Sequence, residues 1–220
     1  MINIDSIRPI ANDIMNYLGD YYASGEFGVV FERKGFPEWL VKIVNLDAED
    51  DENLINQEQA LFIDEVFKVG NNGSLPTIIY FKEFELTEMI KKHISNVILR
   101  NDAPRALQVL NMEIGDLMAV WIMEKLEHIG EDADLTNEEN AIKVGQAAAN
   151  IFEDYGYIVE DLHNQNYGQT NDGRFVILDP KIVTEPPNEV FLMDNEQLVK
   201  WFVENKVWMR DGKASLAIGN

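Results

Sequence analysis

Two oxygen-bearing side chains, Asn166 and Asp179, could share a metal ion if the chain between them folds back on itself. Residues 171–173 read Asn-Asp-Gly, a strong hairpin signal, because Asp-Gly favours a tight two-residue turn. Counting outward from Asp172 and Gly173 pairs Asn166 with Asp179, and directly opposed Cβ atoms lie about 4.5–5.5 Å apart. An amide oxygen and a carboxylate at that spacing can hold one hard cation such as Mg²⁺. A purely structural Asn–Asp pair is the alternative.

A second candidate is the pair Gly25 and Gly28, which lies between two β-rich runs. Glycine allows a tight hairpin, whose main-chain N–H groups can then approach phosphate oxygens. Hairpins that bind nothing also carry glycines at this spacing. The sequence therefore leaves a phosphate-binding loop and a plain turn both open.

Lys42 is the third candidate, in the strand-like run 40–44, where its side chain faces the opposite way from those at 41 and 43. A helix predicted over 52–69 carries Glu58 inside an apolar stripe. That stripe consists of Leu54, Ile55, Leu61 and Phe62. Because burying an unpaired carboxylate costs several kcal/mol, we expect a cation beside Glu58, and Lys42 is the nearest in sequence. Glu65, on nearly the same face, is the competing partner.

The elements that must position these residues differ between the two halves of the chain. In the first half, short β-rich runs predict three antiparallel strands, and a fourth and fifth strand flank a stretch with helical spacing. The predicted strands are 21–24, 29–33, 39–44, 77–86 and 117–127, and the helical stretch is 87–111. An amphipathic helix with Ile7, Ile10, Ile14 and Leu18 on one face precedes them.

The second half is predicted to begin with a helix that starts at a capping box, Thr136 with Glu139, and ends near Gly156. Further β-rich runs carry the Asn166 and Asp179 segments, and a last helix covers about 195–206. An acidic connection before Thr136 places the boundary near residue 130, with domains at 1–130 and 131–220. The expected fold class is α+β.

Composition excludes several kinds of site. The chain has 220 residues, no cysteine and three histidines far apart in sequence, so disulfides, thiolate chemistry and a zinc site are not expected. With 46% hydrophobic residues it can bury a core. A net charge of −21 would repel a phosphate backbone, so direct nucleic-acid binding is disfavoured. Neither a signal peptide nor a membrane span is recognised, and we expect no membrane partner and a cytoplasmic location.

Taken in order, the motifs resemble the signature set of the protein-kinase-like phosphotransferases. The matching features are Gly25-x-Phe27-Gly28-x-Val30, Lys42 with Glu58 sixteen residues later, Met123-Glu124-Lys125-Leu126, Asp161-x4-Asn166 and Asp179. The short chain and the D-L-H-N-Q-N-Y-G segment look most like early protein kinases of lytic bacteriophages. The resemblance spans roughly residues 20 to 182, and aminoglycoside phosphotransferases are the next closest pattern.

The resemblance implies a two-lobed fold, with an antiparallel sheet and a helix in the N-lobe and a reduced, mostly helical C-lobe. It also implies ATP and Mg²⁺ as cofactors and phosphoryl transfer to a hydroxyl, most simply Ser or Thr of a protein. The nucleotide would contact the glycine loop with Phe27 and Val30, Lys42 held by Glu58, and the backbone around Met123, Glu124 and Leu126. Asp161 would accept or orient the hydroxyl proton, and Asn166 and Asp179 would hold Mg²⁺.

Departures from the family pattern leave the acceptor open. Ala23 replaces the first loop glycine, Val159 and Glu160 stand where His-Arg is usual, and the helical insertion near 87–111 has no family counterpart. One alternative is a small-molecule phosphotransferase. Another is a catalytically weak acidic decoy that binds a basic host protein. For a phage-encoded enzyme the location would be the host cytoplasm.

Overall fold

The computed structural model describes residues 14–25, 28–47, 51–71, 73–126, 128–129, 135, 137–164, 166–183 and 185–208. The chain divides into two compact units, and each is described by itself. The first unit contains residues up to Gly70 together with Thr77–Lys125, and the second contains Asn71–Pro76 and the chain from Leu126 onward. Within the described residues the fold class is α+β, as predicted.

The first unit is built on a five-stranded antiparallel sheet with the strand order β1-β2-β3-β5-β4. Its elements in chain order are β1 (Leu18–Ser24), β2 (Val29–Arg33), β3 (Phe36–Asn45), α1 (Asp51–Val69), β4 (Ile78–Glu85), α2 (Glu88–Arg100), α3 (Pro104–Leu110) and β5 (Leu117–Glu124). The predicted strands of the first half are therefore confirmed. Of the predicted N-terminal helix, most lies outside the described residues. Ile14–Asn16 form one 3-10 turn and Leu18 already begins β1, so the predicted end of that helix was wrong.

The two faces of this sheet carry different side chains because strand residues alternate. Val41 and Ile43 of β3 lie in an apolar core with residues of α2 and α3 such as Ile94 and Leu110. Lys42 is also buried, although its strand neighbours at 41 and 43 face that core. Its neighbours across the sheet are Val30 on β2 and Trp121 on β5. The stretch 87–111 thus covers the face away from Lys42.

That stretch forms two helices instead of one. The Thr87 side chain accepts a hydrogen bond from the Ile90 N–H and begins α2. Asp102, with a φ of 53°, lies in the turn that follows, and Pro104 begins α3. Proline is favoured at a first helical position, because it has no N–H that would need a partner there. The break lets both helices pack onto one sheet face.

The buried face of α1 differs from the predicted stripe. Leu54 is 61% exposed and Leu61 is 63% exposed, whereas Phe62 is fully buried. The buried residues of the helix are Asn56, Gln59, Ala60, Phe62, Ile63 and Val66. Two of these are amides, so the face predicted from apolar residues alone is rotated by part of a turn from the buried face.

The second unit combines two long helices with short strands. Its elements are β6 (His128–Ile129), α4 (Glu138–Tyr155), β7 (Ile158–Glu160), β8 (Leu162–His163), β9 (Tyr167–Gln169), β10 (Phe175–Ile177), β11 (Lys181–Val183), α5 (Asn195–Asn205) and β12 (Val207–Trp208). The strands form three small groups, β10-β9-β6, β11-β7 and β12-β8. Helices α4 and α5 pack closely, since a Cβ on Gly145 would lie 2.7 Å from Val203 Cγ2.

The ends of α4 were predicted with partial success. Asn137 is the N-cap, and its side chain accepts a hydrogen bond from the Glu139 N–H, so the predicted capping box was wrong; Thr136 lies outside the described residues. Gly156 ends the helix with a φ of 77°, as expected for a left-handed cap. No helix within the described residues is both long enough and apolar enough to span a membrane.

Candidate functional site

The glycine loop joins β1 to β2 and is closed by a hydrogen bond from the Gly25 N–H to the Gly28 carbonyl, 3.0 Å long. Gly28 lies against β3, where an added Cβ would be 2.7 Å from Val44 Cγ1 and 3.0 Å from Lys42 Cε. Real Cβ atoms do not approach to 2.7 Å, so the loop can lie this close to β3 only because residue 28 is glycine. Phe27 lies outside the described residues.

Lys42 projects from the middle of the sheet and is only 3% exposed. Its Nζ donates a hydrogen bond to Gln59 Oε1 on α1 at 3.2 Å. The same ammonium lies 5.3 Å from the centroid of the Trp121 ring, a distance at which a cation is attracted to an aromatic face. Val30 is its neighbour on β2. Lys42 is thus held in place from the helix and from the sheet.

Gln59 is the residue that sequence reasoning missed. The sequence pattern of α1 favours a carboxylate as the partner, because an ion pair is the usual arrangement for a buried lysine. An amide oxygen also satisfies an ammonium donor and adds no second charge to be desolvated. Glu58 and Glu65, the predicted partners, are both half-buried on the same helix. Which of the two carboxylates acts with Lys42 stays a prediction. Burial of the Gln59 amide, which only the structure shows, is what singles this residue out.

Met123 and Glu124 end β5, opposite Leu40 and Trp39 of β3. The Glu124 N–H donates to the Thr77 carbonyl at 3.0 Å, and its Oε2 accepts from the Thr77 hydroxyl at 2.9 Å. The Glu124 N–H therefore already has a partner within the first unit. Leu126 is buried and is the first residue of the C-terminal stretch of the second unit.

Asp161 lies in the turn between β7 and β8 and has a φ of 59°. A non-glycine residue in this left-handed region is strained and persists only where its surroundings hold it. The Asn166 side chain does so, because its Nδ2 donates to the Asp161 carbonyl at 3.0 Å and to Asp161 Oδ2 at 3.1 Å. His163, which is 2% exposed, places Nε2 3.6 Å from the same carboxylate oxygen. The structure thus brings Asp161, His163 and Asn166 together.

The hairpin that carries Asn166 has a different register from the predicted one. Its loop contains three residues, 171–173, because the Thr170 N–H donates to the Arg174 carbonyl and Gly173 takes a φ of 84°. Three-residue loops with a left-handed last residue are the next most common class after two-residue turns. Gly168 therefore pairs with Val176, and the Leu178 N–H donates to the Asn166 carbonyl at 2.8 Å. The predicted pairing of Asn166 with Asp179 was wrong by one residue.

A second strand pair places Asp179 near this cluster along the main chain. Glu160 of β7 lies opposite Lys181 of β11. Asp161 directly follows Glu160, and Asp179 lies two residues before Lys181. Because the two strands are antiparallel, both aspartates lie at the same end of the pair. Asp179 is half-buried and directly follows Leu178, whose N–H binds Asn166. The register of β9 with β10 and that of β7 with β11 therefore place Asp161, Asn166 and Asp179 near one another along the main chain. Glu160 forms an ion pair with Lys206.

The oxygen atoms of this cluster are of the kind that bind a hard cation such as Mg²⁺, which takes few ligands from the protein. The Asn166 nitrogen is engaged with Asp161, which leaves the amide oxygen as the atom that could bind a metal. The Asp179 carboxylate and an amide oxygen are ligands of the kind that Mg²⁺ accepts, and water and phosphate oxygens would supply the other ligands. Within the described residues no group of three or more His, Cys, Asp or Glu side chains is arranged to hold a metal. A closed, all-protein site is therefore not formed by that part of the chain.

None of the known protein-family models compared with the chain matches it, and none of the curated proteins compared with it is recognisably related in sequence.

Proposed function

We propose that this chain is an ATP- and Mg²⁺-dependent phosphotransferase with a two-lobed, protein-kinase-like fold, and that it acts on a hydroxyl group of a protein. The observation that carries the proposal is the pair of hydrogen bonds from Asn166 to Asp161. They hold a carboxylate in a strained turn, on the two residues that the resemblance assigns to proton transfer and metal binding. Asp102 takes a similar φ in the turn between two helices, so the side-chain hydrogen bonds of Asn166, and not the φ of Asp161 alone, support the proposal.

In the proposed enzyme, residues of the first unit hold the nucleotide. The Lys42 ammonium contacts phosphate oxygens, with Glu58 as its charge partner and Gln59 as its hydrogen-bond acceptor. The absence of a Cβ at Gly28 lets the loop lie close to the Lys42 side chain. Fixed donors of this kind stabilise the charge of the transition state without having to reorganise.

Residues of the second unit perform the transfer. Asp161 accepts the proton of the substrate hydroxyl while the hydroxyl oxygen forms a bond to the γ-phosphorus. The bond from that phosphorus to the β–γ bridging oxygen breaks, and ADP is released. Asn166 and Asp179 hold the Mg²⁺ ion, which supplies charge neutralisation on the phosphate oxygens when bound. Asn166 has two tasks in this scheme, since its nitrogen orients Asp161 and its oxygen binds the metal.

The net charge of −21 favours a basic protein as the acceptor. Charge of one sign attracts a partner of the other sign and raises the rate of encounter. A basic host protein meets this requirement, as does a basic segment around a target Ser or Thr. The same charge would serve an acidic decoy, which needs neither Lys42 nor Asp161, so the two ideas differ in the effect of substitutions at these residues.

Incubation of the full chain with radiolabelled ATP, Mg²⁺ and a bacterial lysate tests the proposal. We expect label in protein bands, and none with the Asp161→Asn or Lys42→Met variants. Asp154→Asn is the matched control, because Asp154 is an exposed carboxylate of the same unit and should leave labelling unchanged.

A thermal-shift measurement with ATP and Mg²⁺ separates the alternatives. A ligand that binds only the folded state stabilises it by about 2.7 kcal/mol at a hundredfold excess over Kd. Stabilisation with label in low-mass products would indicate a small-molecule acceptor. If millimolar ATP produces neither stabilisation nor labelling, the result contradicts the proposed enzyme and favours the decoy.

A further inference from the structure

Basic side chains line a pocket of about 440 Å³ in the first unit. It lies where the start of β1, the turn between β2 and β3, and helix α2 meet. The permanent cations of its lining are Arg33, Lys34 and Arg100, and His93 lies beside them. Pockets of this size accept small organic ligands. Nothing in the proposed phosphoryl transfer uses these residues.

Arg33 is the rigid part of the pocket. It is 8% exposed, and its guanidinium lies 5.3 Å from the Tyr17 ring centroid and 5.5 Å from that of Phe36. Its Nη1 donates to the Lys34 carbonyl at 3.0 Å. Burial lowers the pKa of the Arg33 guanidinium by desolvation, yet an arginine remains charged at neutral pH. A planar, held guanidinium is well suited to bind two oxygens of one anion.

Helix α2 supplies the opposite wall. His93 and Arg100 are seven residues apart and so lie on one face of the helix, two turns from each other. Both also line a second pocket of about 490 Å³, which continues along the helix past Asn96, Val97 and Leu99. The two pockets therefore adjoin, and the second offers an amide and carbon surface. A ligand with a charged end and an organic body would fit this arrangement.

The charge of the lining matches a dianion. Asp20 and Glu32 also line the first pocket, but Glu32 Oε1 accepts from Lys125 Nζ at 2.9 Å, so its charge is balanced from outside the pocket. Three permanent cations against Asp20 leave an excess of two positive charges. A phosphate monoester carries close to two negative charges at neutral pH, whereas a single carboxylate carries one.

We propose that this pocket binds a small organic phosphate. The phosphate contacts Arg33, Lys34 and Arg100, and the organic part lies along α2 beside Asn96 and Leu99. The site is separate from the residues assigned to ATP, so the proposal stands whether or not the chain transfers phosphate.

Calorimetric titration of the full chain with phenyl phosphate, and with phenol as the uncharged analogue, tests the site. We expect saturable binding of phenyl phosphate and none of phenol. Lys34→Gln and Arg100→Gln should each weaken binding about tenfold, because each removes a charge-assisted hydrogen bond. Both residues are exposed, so the variants should fold. Arg105→Gln, an exposed arginine on α3 outside both pockets, is the matched control and should change the affinity less than about twofold.

Binding that survives both pocket variants unchanged would overturn the proposal, as would equal binding of phenol or the lack of any saturable binding. Lys42→Met separates the pocket from the nucleotide residues. Unchanged affinity in that variant supports the pocket, and loss of binding there with retention in Arg100→Gln would assign the phosphate to the nucleotide site instead.

Discussion

The Asn166 side chain donates from one nitrogen to both the carbonyl oxygen and the carboxylate of Asp161, at 3.0 and 3.1 Å. The two residues are five positions apart, and the turn between them closes through a further hydrogen bond from the Asn166 N–H to the His163 carbonyl. An amide here is therefore a structural requirement as well as a possible metal ligand. The first prediction rests on this relationship.

Asn166→Asp should destabilise the fold by about 1–3 kcal/mol, because it removes a donor to Asp161 and puts a second carboxylate beside the first. Urea unfolding at neutral pH measures this free energy. Asn188→Asp is the matched control, since it makes the same chemical change at an exposed position at the start of a 3-10 helix. Equal stability of the Asn166→Asp variant and the unchanged protein would show that the two hydrogen bonds contribute nothing.

The shared metal predicts non-additive losses of activity. Asp179→Asn and Asn166→Ala should each raise the Mg²⁺ concentration needed for half-maximal transfer, because the first replaces a charged oxygen ligand with a neutral amide oxygen and the second removes an oxygen ligand. The double variant should lose much less than the product of the two single effects, as groups that act as a unit do. Transfer rates across a Mg²⁺ titration provide the readout. Fully multiplicative losses would falsify a metal held by both residues.

Gln59→Leu should cost about 1–2 kcal/mol of stability, because Lys42 would lose a buried hydrogen-bond acceptor while its charge stays in place. It should also lower the affinity for ATP if Lys42 moves. Thermal unfolding and nucleotide titration measure the two effects. Gln108→Leu, at an exposed position on α3, is the control for the loss of an amide. Similar stability of the two variants would mean that Gln59 does not hold Lys42.

Gly28→Ala should destabilise the first unit by about 1–3 kcal/mol, since the new methyl group would overlap Val44 and the Ile43 carbonyl. ATP binding should weaken as well, because the methyl group also meets Lys42 Cε. Gly35→Ala is the comparison: its φ of 81° makes alanine cost about 1 kcal/mol, but it has open space and no contact with Lys42. Weaker ATP binding in both variants would trace the effect to general loss of stability.

The hairpin loop should show an acid-sensitive contact at Asp172. The Thr170 hydroxyl and the Arg174 side chain bind the Asp172 carboxylate and hold its pKa below the ordinary 3.8. A carboxyl with a lowered folded-state pKa contributes stability above its unfolded-state pKa, and this contribution is lost as the pH falls through the folded value. NMR titration of Asp172 should therefore give a pKa below 3.8.

Thr170→Val and Arg174→Gln should each raise the pKa of Asp172, because each removes a hydrogen bond that lowers it, and the Thr170 hydrogen bond is the largest single cause of the shift. The Asp172→Asn variant should lose less stability than the unchanged protein on acidification below about pH 4. A titration in which neither substitution moves the Asp172 pKa would contradict the assigned contacts.

Local patterns in the sequence were enough to predict most of the elements of the first unit. Alternation along 29–33 and 39–44 predicted β2 and β3, and it placed Lys42 opposite the side chains at 41 and 43. Glycine at 156 predicted the end of α4, because a left-handed cap depends on the conformational freedom of one residue. Such features depend on a few neighbouring residues, and a sequence contains that information directly.

Tertiary structure alone decided the contacts that join distant parts of each unit. Gln59 reaches Lys42 because packing rotated α1 so that amides, and not Leu54 and Leu61, face inward. The hairpin took a three-residue loop through Thr170 and Arg174, which moved the partner of Asn166 from Asp179 to Leu178. A change of one residue in a loop costs little locally but shifts every cross-strand pair, so the register was settled by long-range hydrogen bonds such as that from Ile177 to Ser74.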